Sequence, residues 1–292
     1  MKFINKRLLK SNIIRDFKIT KLHFFLFLIT IITTLFSGTL MAGGNPINSI
    51  SDITLGIPFS FALMIILVCH ESGHYLYARK HKVEATLPYF IPAPTFVGTF
   101  GAFIKIKSPI EKRIALLEIG AAGPIAGFLV TLPLLIWGMT RSEIIFIDQP
   151  INGLKLGDSI LMRILTLVMF PDLGSNQDIL LDPIAFAGWI GLLITMLNLL
   201  PIGQLDGGHI AYAILGQRFS ILAKLTWCAL FPMGLLSINW LIWGLLILLL
   251  MRTTNHPPIQ HIDAPITARE KWIGTISLVI FIICFIPSPF SS

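Results

Sequence analysis

The sequence predicts an all-α polytopic membrane protein of about seven transmembrane helices with a short re-entrant β segment. Three observations carry that prediction. Of the 292 residues, 54% are hydrophobic and 13% charged, with mean hydropathy +0.80; a soluble domain carries about 25% charged residues. Seven apolar stretches approach the ~20 residues that cross a bilayer as a helix. A further apolar stretch, 84–110, is broken by Pro and Gly, and irregular backbone at membrane depth is tolerated only when buried in protein or lining a wet cavity.

The stretches fall at about 22–42, 56–80, 112–139, 184–204, 219–236, 239–252 and 272–287. The first follows a basic N-terminal segment and lacks a clean A-x-A cleavage signal, so it reads as a retained signal-anchor helix. The fifth and sixth are separated only by "SIN" and suggest a tight helical hairpin. With the N-terminus in the cytosol, 19 of the 22 Lys and Arg residues fall on that side; Arg141, Lys155 and Arg163 fall opposite. That is a positive-inside pattern, and it assigns the net charge of +7 to topology, not to nucleic-acid binding. An odd number of spans puts the C-terminus outside. The loop 140–183, with Glu143, Asp148, Asp158, Asp172, Asp178 and Asp182, reads as a solvated exterior surface. In 84–110, "FIKIK" alternates Ile104 and Ile106 with Lys105 and Lys107, the pattern of a short strand. The three cysteines, Cys69, Cys228 and Cys284, form no CxxC pair, which leaves neither a disulfide framework nor a Cys-based zinc site.

Residues 69–75 read CHESGHY at the end of the apolar run IPFSFALMIILV. Ionisable residues at membrane depth are costly and mark functional sites. His70-Glu71-Ser72-Gly73-His74 is H-E-x-x-H. On a helix the two histidines face the same way and both reach one zinc ion, with Glu71 beside its open position. Zinc brings the pKa of water towards ~7, and Glu71 would move that water's proton to the leaving amine. From Pro58 to Cys69 is 12 residues, about 18 Å of helix, so the motif lies within the bilayer near the cytosolic Arg79-Lys80-His81-Lys82 cluster.

Two histidines leave a third ligand to find. Asp206, in LNLLPIGQLDGGHI, ends another apolar helix at matching depth. Pro201, Gly203, Gly207 and Gly208 would unwind that helix and let the carboxylate turn inward. The competitor is Glu118, 44 residues beyond His74 and inside an apolar helix. His209, His256 and His261 read as non-ligands, His209 lying close to Asp206, and His23 as an interface residue of the first helix.

HESGH on a membrane helix, followed far downstream by NLLPIGQLDGGH, resembles the site-2 protease family of intramembrane zinc metalloproteases. GAAGPIAG at 120–127 matches the glycine-rich pattern of that family. LPYFIPAP, GTFGAFIKIKSPI, LLPIGQLDGGHIAYA and NHPP at 255–258 resemble a subgroup more closely: the plastid proteases named for gravitropism-deficient, yellow-green plants, and their prokaryotic relatives. The resemblance runs from roughly 55 to 252, plus NHPP. It implies one zinc per chain on His70, His74 and Asp206, with Glu71 as catalytic acid/base. It also implies that Asn198 positions the substrate or the oxyanion.

A peptide bond inside a helix is hydrogen-bonded and shielded, so a substrate helix must open before hydrolysis. Phe103, Ile104, Lys105 and Ile106 are the expected strand edge that pairs with the opened substrate. The plan is then a basic segment and anchor helix in 1–53, a catalytic membrane core in 54–218, and C-terminal membrane helices in 219–292. The expected partners are a single-span membrane protein and the lipid bilayer, with no nucleic acid. The expected location is a prokaryotic plasma membrane, because the basic N-terminus is short and not of Ser/Arg-rich transit-peptide type. The alternative classes are a metal transporter using the same residues as a transit site and an inactive protease-like membrane chaperone.

Overall fold

The computed structural model describes residues 20–146, 155–263 and 265–291; the basic segment over 1–19 lies outside these. Among the described residues the chain is mainly helical. Helix α1 (Lys21–Met41) starts at Thr20, whose side chain accepts a bond from the His23 N–H, and a 3-10 turn (Ile50–Gly56) leads into α2 (Ile57–Lys80) with Pro58 in its first turn. Strands β1 (Tyr89–Pro92) and β2 (Thr99–Phe103) form an antiparallel hairpin with a register shift between Phe90 and Pro92. Helix α3 (Arg113–Met139) follows and stays continuous through Pro124 and Pro133.

The 140–183 segment, expected as an exterior loop, is more structured than its polarity predicts. It contains β3 (Glu143–Phe146), β4 (Lys155–Leu156), α4 (Ile160–Met169) and β5 (Gln177–Leu180), with β3 paired to β5. Asp148 is outside the described residues. Then come α5 (Pro183–Asn198), α6 (Asp206–Leu215), α7 (Phe219–Met233), α8 (Asn239–Met251) and α9 (Ala268–Cys284), closed by β6 (Phe290–Ser291) on β4. Every predicted helix has a counterpart, but the fourth stops at Asn198. Pro201 and Gly203, the latter with φ +56, redirect the chain before α6 begins.

By length and composition three helices can cross a membrane: Lys21–Met41, Ile50–Lys80 (taking the 3-10 turn with α2) and Arg113–Met139; α4, α5 and α8 are shorter apolar helices. Leu28, Phe61, Leu129, Trp137, Leu245 and Leu249 expose large apolar side chains on the outside of the bundle. Such a surface suits contact with lipid chains and would be a liability in water. The core lies between α2, α3 and α5, where Phe59, Leu63, Leu67, Leu116, Leu135, Trp189, Leu192 and Met196 are buried together. Small residues set the spacing: a Cβ on Gly73 would strike the Ala122 carbonyl, and one on Gly138 would strike the Ala185 backbone. That is the close-approach packing of membrane bundles.

Candidate metal centre

The last turns of α2 carry His70, Glu71 and His74, all buried against α3 and α5. His70 and His74, one turn apart, bring their Nε2 atoms to 3.2 Å. Asp206 reaches the same point from α6, with Oδ2 3.3 Å from His70 Nε2 and Oδ1 3.3 Å from His74 Nε2. Asp206 opens α6 instead of closing α5. The carboxylate therefore sits at a helix N-terminus, where the helix dipole favours negative charge. Gly207 and Gly208 lie within α6 and do not unwind it; a Cβ on either would strike the backbone of the 199–203 turn. They let the helix start pack close enough for Asp206 to reach the histidines.

The 3.2 Å between the two Nε2 atoms matches an edge of the tetrahedron, about 3.3 Å, that zinc bonds of ~2.0–2.1 Å require, and each nitrogen lies 3.3 Å from a different oxygen of Asp206. The three residues form the group of candidate metal donors found among the described residues. Their chemistry, two imidazoles and one carboxylate, suits zinc and leaves a fourth position open. The supporting shell is present as well. His74 Nδ1–H donates to the Ile119 carbonyl at 2.7 Å, which leaves Nε2 as the free donor. Gly123 and Gly127 of α3 lie against the two rings: a Cβ on Gly123 would overlap the His74 ring, and one on Gly127 would stand 3.0 Å from His70 Nδ1.

The other sequence candidates separate clearly. Glu118 is buried away from the centre, its carboxylate bonded by Lys80 Nζ at 2.6 Å, His81 Nε2 at 2.7 Å and an Arg269 guanidinium nitrogen at 2.6 Å. It ties α2, α3 and α9 together. Asn198, the last residue of α5, places its Nδ2 3.4 Å from His70 Nε2. Phe103 ends β2, so Ile104, Lys105 and Ile106 fall outside the regular strand. The ladder continues past it through an Ala85–Ile106 bridge, with Thr86 N–H donating to Lys105 O at 2.9 Å and Lys107 N–H to Glu84 O at 2.7 Å. Gly101, at φ +96, adopts a left-handed backbone next to this break, a conformation glycine adopts without strain. Ile104 turns its backbone N–H towards the Glu71 carboxyl.

Sequence reasoning missed how His209 and His256 are used. Their Nδ1 and Nε2 atoms are 2.7 Å apart, and His256 stacks on Tyr212 with ring centroids 4.5 Å apart and 13° between planes. Burial lowers the His256 pKa against the opposing effect of its Pro257 contact, which favours the neutral ring. The signal available in the sequence was NHPP, with a histidine and no reason given for it. His23 is buried and stacks on Tyr89 with ring centroids 4.1 Å apart.

Fold and centre together define a class: a helical protein with membrane-length helices and a candidate two-histidine, one-aspartate metal site beside a buried glutamate. A family profile described as "Peptidase family M50" matches residues 58–227. The chain belongs to that family. It is 31% identical over 243 residues to an Arabidopsis thaliana protein named "Probable zinc metalloprotease EGY2, chloroplastic", covering 81% of this chain and 42% of the relative. The rice counterpart (Oryza sativa subsp. indica) is 31% identical over 282 residues, covering 90% and 49%. Arabidopsis EGY1, also named as a chloroplastic zinc metalloprotease, is 29% identical over 243 residues, covering 80% and 43%. The chain thus spans about half the length of these relatives or somewhat less. No solved structure matches.

Proposed function

We propose that the protein is an intramembrane zinc metalloprotease that hydrolyses peptide bonds in or near transmembrane segments of membrane-anchored proteins. The observation that carries this reading is the donor triangle that Asp206 of α6 forms with His70 and His74, which are buried with Glu71 on the apolar helix α2. The metalloprotease names of the relatives support it. In this reading His70, His74 and Asp206 hold one zinc ion per chain. Zinc, when bound, polarises the scissile carbonyl and makes water acidic enough to attack at neutral pH.

The protein's own groups supply the rest. Glu71 takes the proton from the attacking water and delivers it to the departing amine nitrogen. Asn198 Nδ2, beside His70, donates to the carbonyl oxygen as negative charge develops there. The 84–107 segment is the re-entrant element. Lys105 and Lys107 bond back to 84–86, so the alternation of a strand turns the Ile104 and Ile106 backbone groups to the opposite edge. That edge faces Glu71 and offers main-chain donors and acceptors to an unwound substrate. Helices α1, α2, α3, α5, α7, α8 and α9 are the seven spans, with 54–218 as the catalytic core and the substrate a single-span protein in the same bilayer. The lysine- and arginine-rich side is cytosolic, or the equivalent side of an organelle membrane. The chloroplastic names of the relatives lend no support to a prokaryotic plasma membrane specifically.

The test is a comparison of wild type with Glu71→Gln on a single-span substrate, with zinc measured on both. The expected result is retained zinc and cleavage reduced by about 10²–10⁴, the usual worth of a general acid/base. Undiminished cleavage by the variant would remove the reading. Metal flux through vesicles that is indifferent to this substitution would favour a transporter.

A further inference from the structure

A short strap between α8 and α9 touches the chain on both sides of Asp206. Three residues before Asp206, the Gly203 N–H donates to the Thr254 carbonyl at 2.8 Å. Three residues after it, His209 meets His256 at 2.7 Å. The proton positions follow from the partners. The Pro257 carbonyl can only accept, so His256 Nδ1–H donates to it at 2.6 Å. The neutral His256 ring then presents its Nε2 lone pair, and His209 Nδ1–H donates to that lone pair. Tyr212, the next residue along this face of α6, stacks on the His256 ring. On the opposite side His209 is pressed by α3, where a Cβ on Gly120 would come within 2.8 Å of its own Cβ. The first turn of α6 is thus gripped between α3 and the strap. The strap lies beyond the 58–227 region that matches the family.

We propose that His256 is a positioning residue of the metal centre: through His209 it fixes the start of α6, and with it the direction of the Asp206 carboxylate towards His70 and His74. This rests on the zinc-site reading above. It gives the strap a role in metal affinity and not only in holding helices together. Groups that orient ligands in this indirect way typically change metal affinity or activity by about 10–100-fold when removed.

The experiment uses the full chain in detergent and two substitutions. His256→Phe keeps a flat ring for Tyr212 to stack on and removes the acceptor; His256→Gln returns an acceptor oxygen. Zinc dissociation constants are measured by chelator competition, and melting temperatures on the metal-free proteins. The expected result is zinc bound about 10–100-fold more weakly by His256→Phe, an unchanged metal-free melting temperature, and recovery of most of the affinity in His256→Gln. Wild-type affinity in His256→Phe would overturn the proposal. So would equal weakening in both variants with a matching fall in metal-free melting temperature, since that describes general support of the fold. Full cleavage by Glu71→Gln would instead remove the peptidase reading and leave this comparison of zinc affinities standing.

Discussion

At the scale of single residues, glycine decides where the imidazoles can be. Gly123 faces the His74 ring and Gly127 the His70 ring, so α3 leaves room for two buried histidines whose ring planes are inclined by 67° to each other. Gly123→Ala adds a methyl group where the His74 ring now sits. Either the ring rotates off the metal position or α2 and α3 separate. The expected outcome is loss of bound zinc together with about 1–3 kcal/mol of stability, the usual cost of overpacking a tight core. Zinc content and thermal melting in detergent check it, and full zinc occupancy would contradict it. Glu118 shows the converse. Sequence position made it a rival ligand, yet Lys80, His81 and Arg269 occupy its carboxylate. A buried acid is expensive unless paired, and the pairing, not the distance along the chain, assigned its role.

At the scale of elements, the hairpin is held by the first helix. Thr33 Oγ1 donates to the Gly98 carbonyl at 2.6 Å and Ser37 Oγ to the Thr95 carbonyl at 3.0 Å. In an apolar span these hydroxyls fix the irregular segment and satisfy carbonyls that lipid could not. If the outer edge after β2 receives substrate, the Ile104 N–H must leave the Glu71 carboxyl it now faces to bond it, and Ile104→Pro removes that donor while leaving the bonds of Lys105 and Lys107 to 84–86 in place. A hydrogen bond of this kind is worth about 1–1.5 kcal/mol. Cleavage of a single-span substrate is therefore expected to fall about tenfold with zinc retained. Unchanged cleavage would dismiss the pairing edge.

At the scale of the whole molecule, the proposed membrane arrangement rests on charge placed on an apolar bundle. The cationic residues of 79–113 cluster at one end of α2 and α3, and the opposite end leads into 140–183. Reporters inserted at 108–111 and at 171–176 are expected to appear on opposite sides of the membrane, the first on the N-terminal side. Accessibility labelling checks this, and both reporters on one side would break the seven-span plan. Much of the molecule was legible this way because helix length, hydropathy and cationic bias are local sums over sequence. The exterior α4 and the β3–β5 pair were not, since polar residues there mask a short apolar helix.

The sequence alone determined the helices and the H-E-x-x-H pair, because a four-residue spacing on one helix fixes a shared face whatever surrounds it. It also made Asp206 a candidate third donor. Only the tertiary structure brought Asp206, and not Glu118, to the two histidines, put Asp206 at the start of a helix instead of the end of one, and joined His256 to His209. Those outcomes depend on contacts between residues tens to more than a hundred positions apart. No local pattern encodes such contacts; they exist only once α2, α3, α5 and α6 have packed.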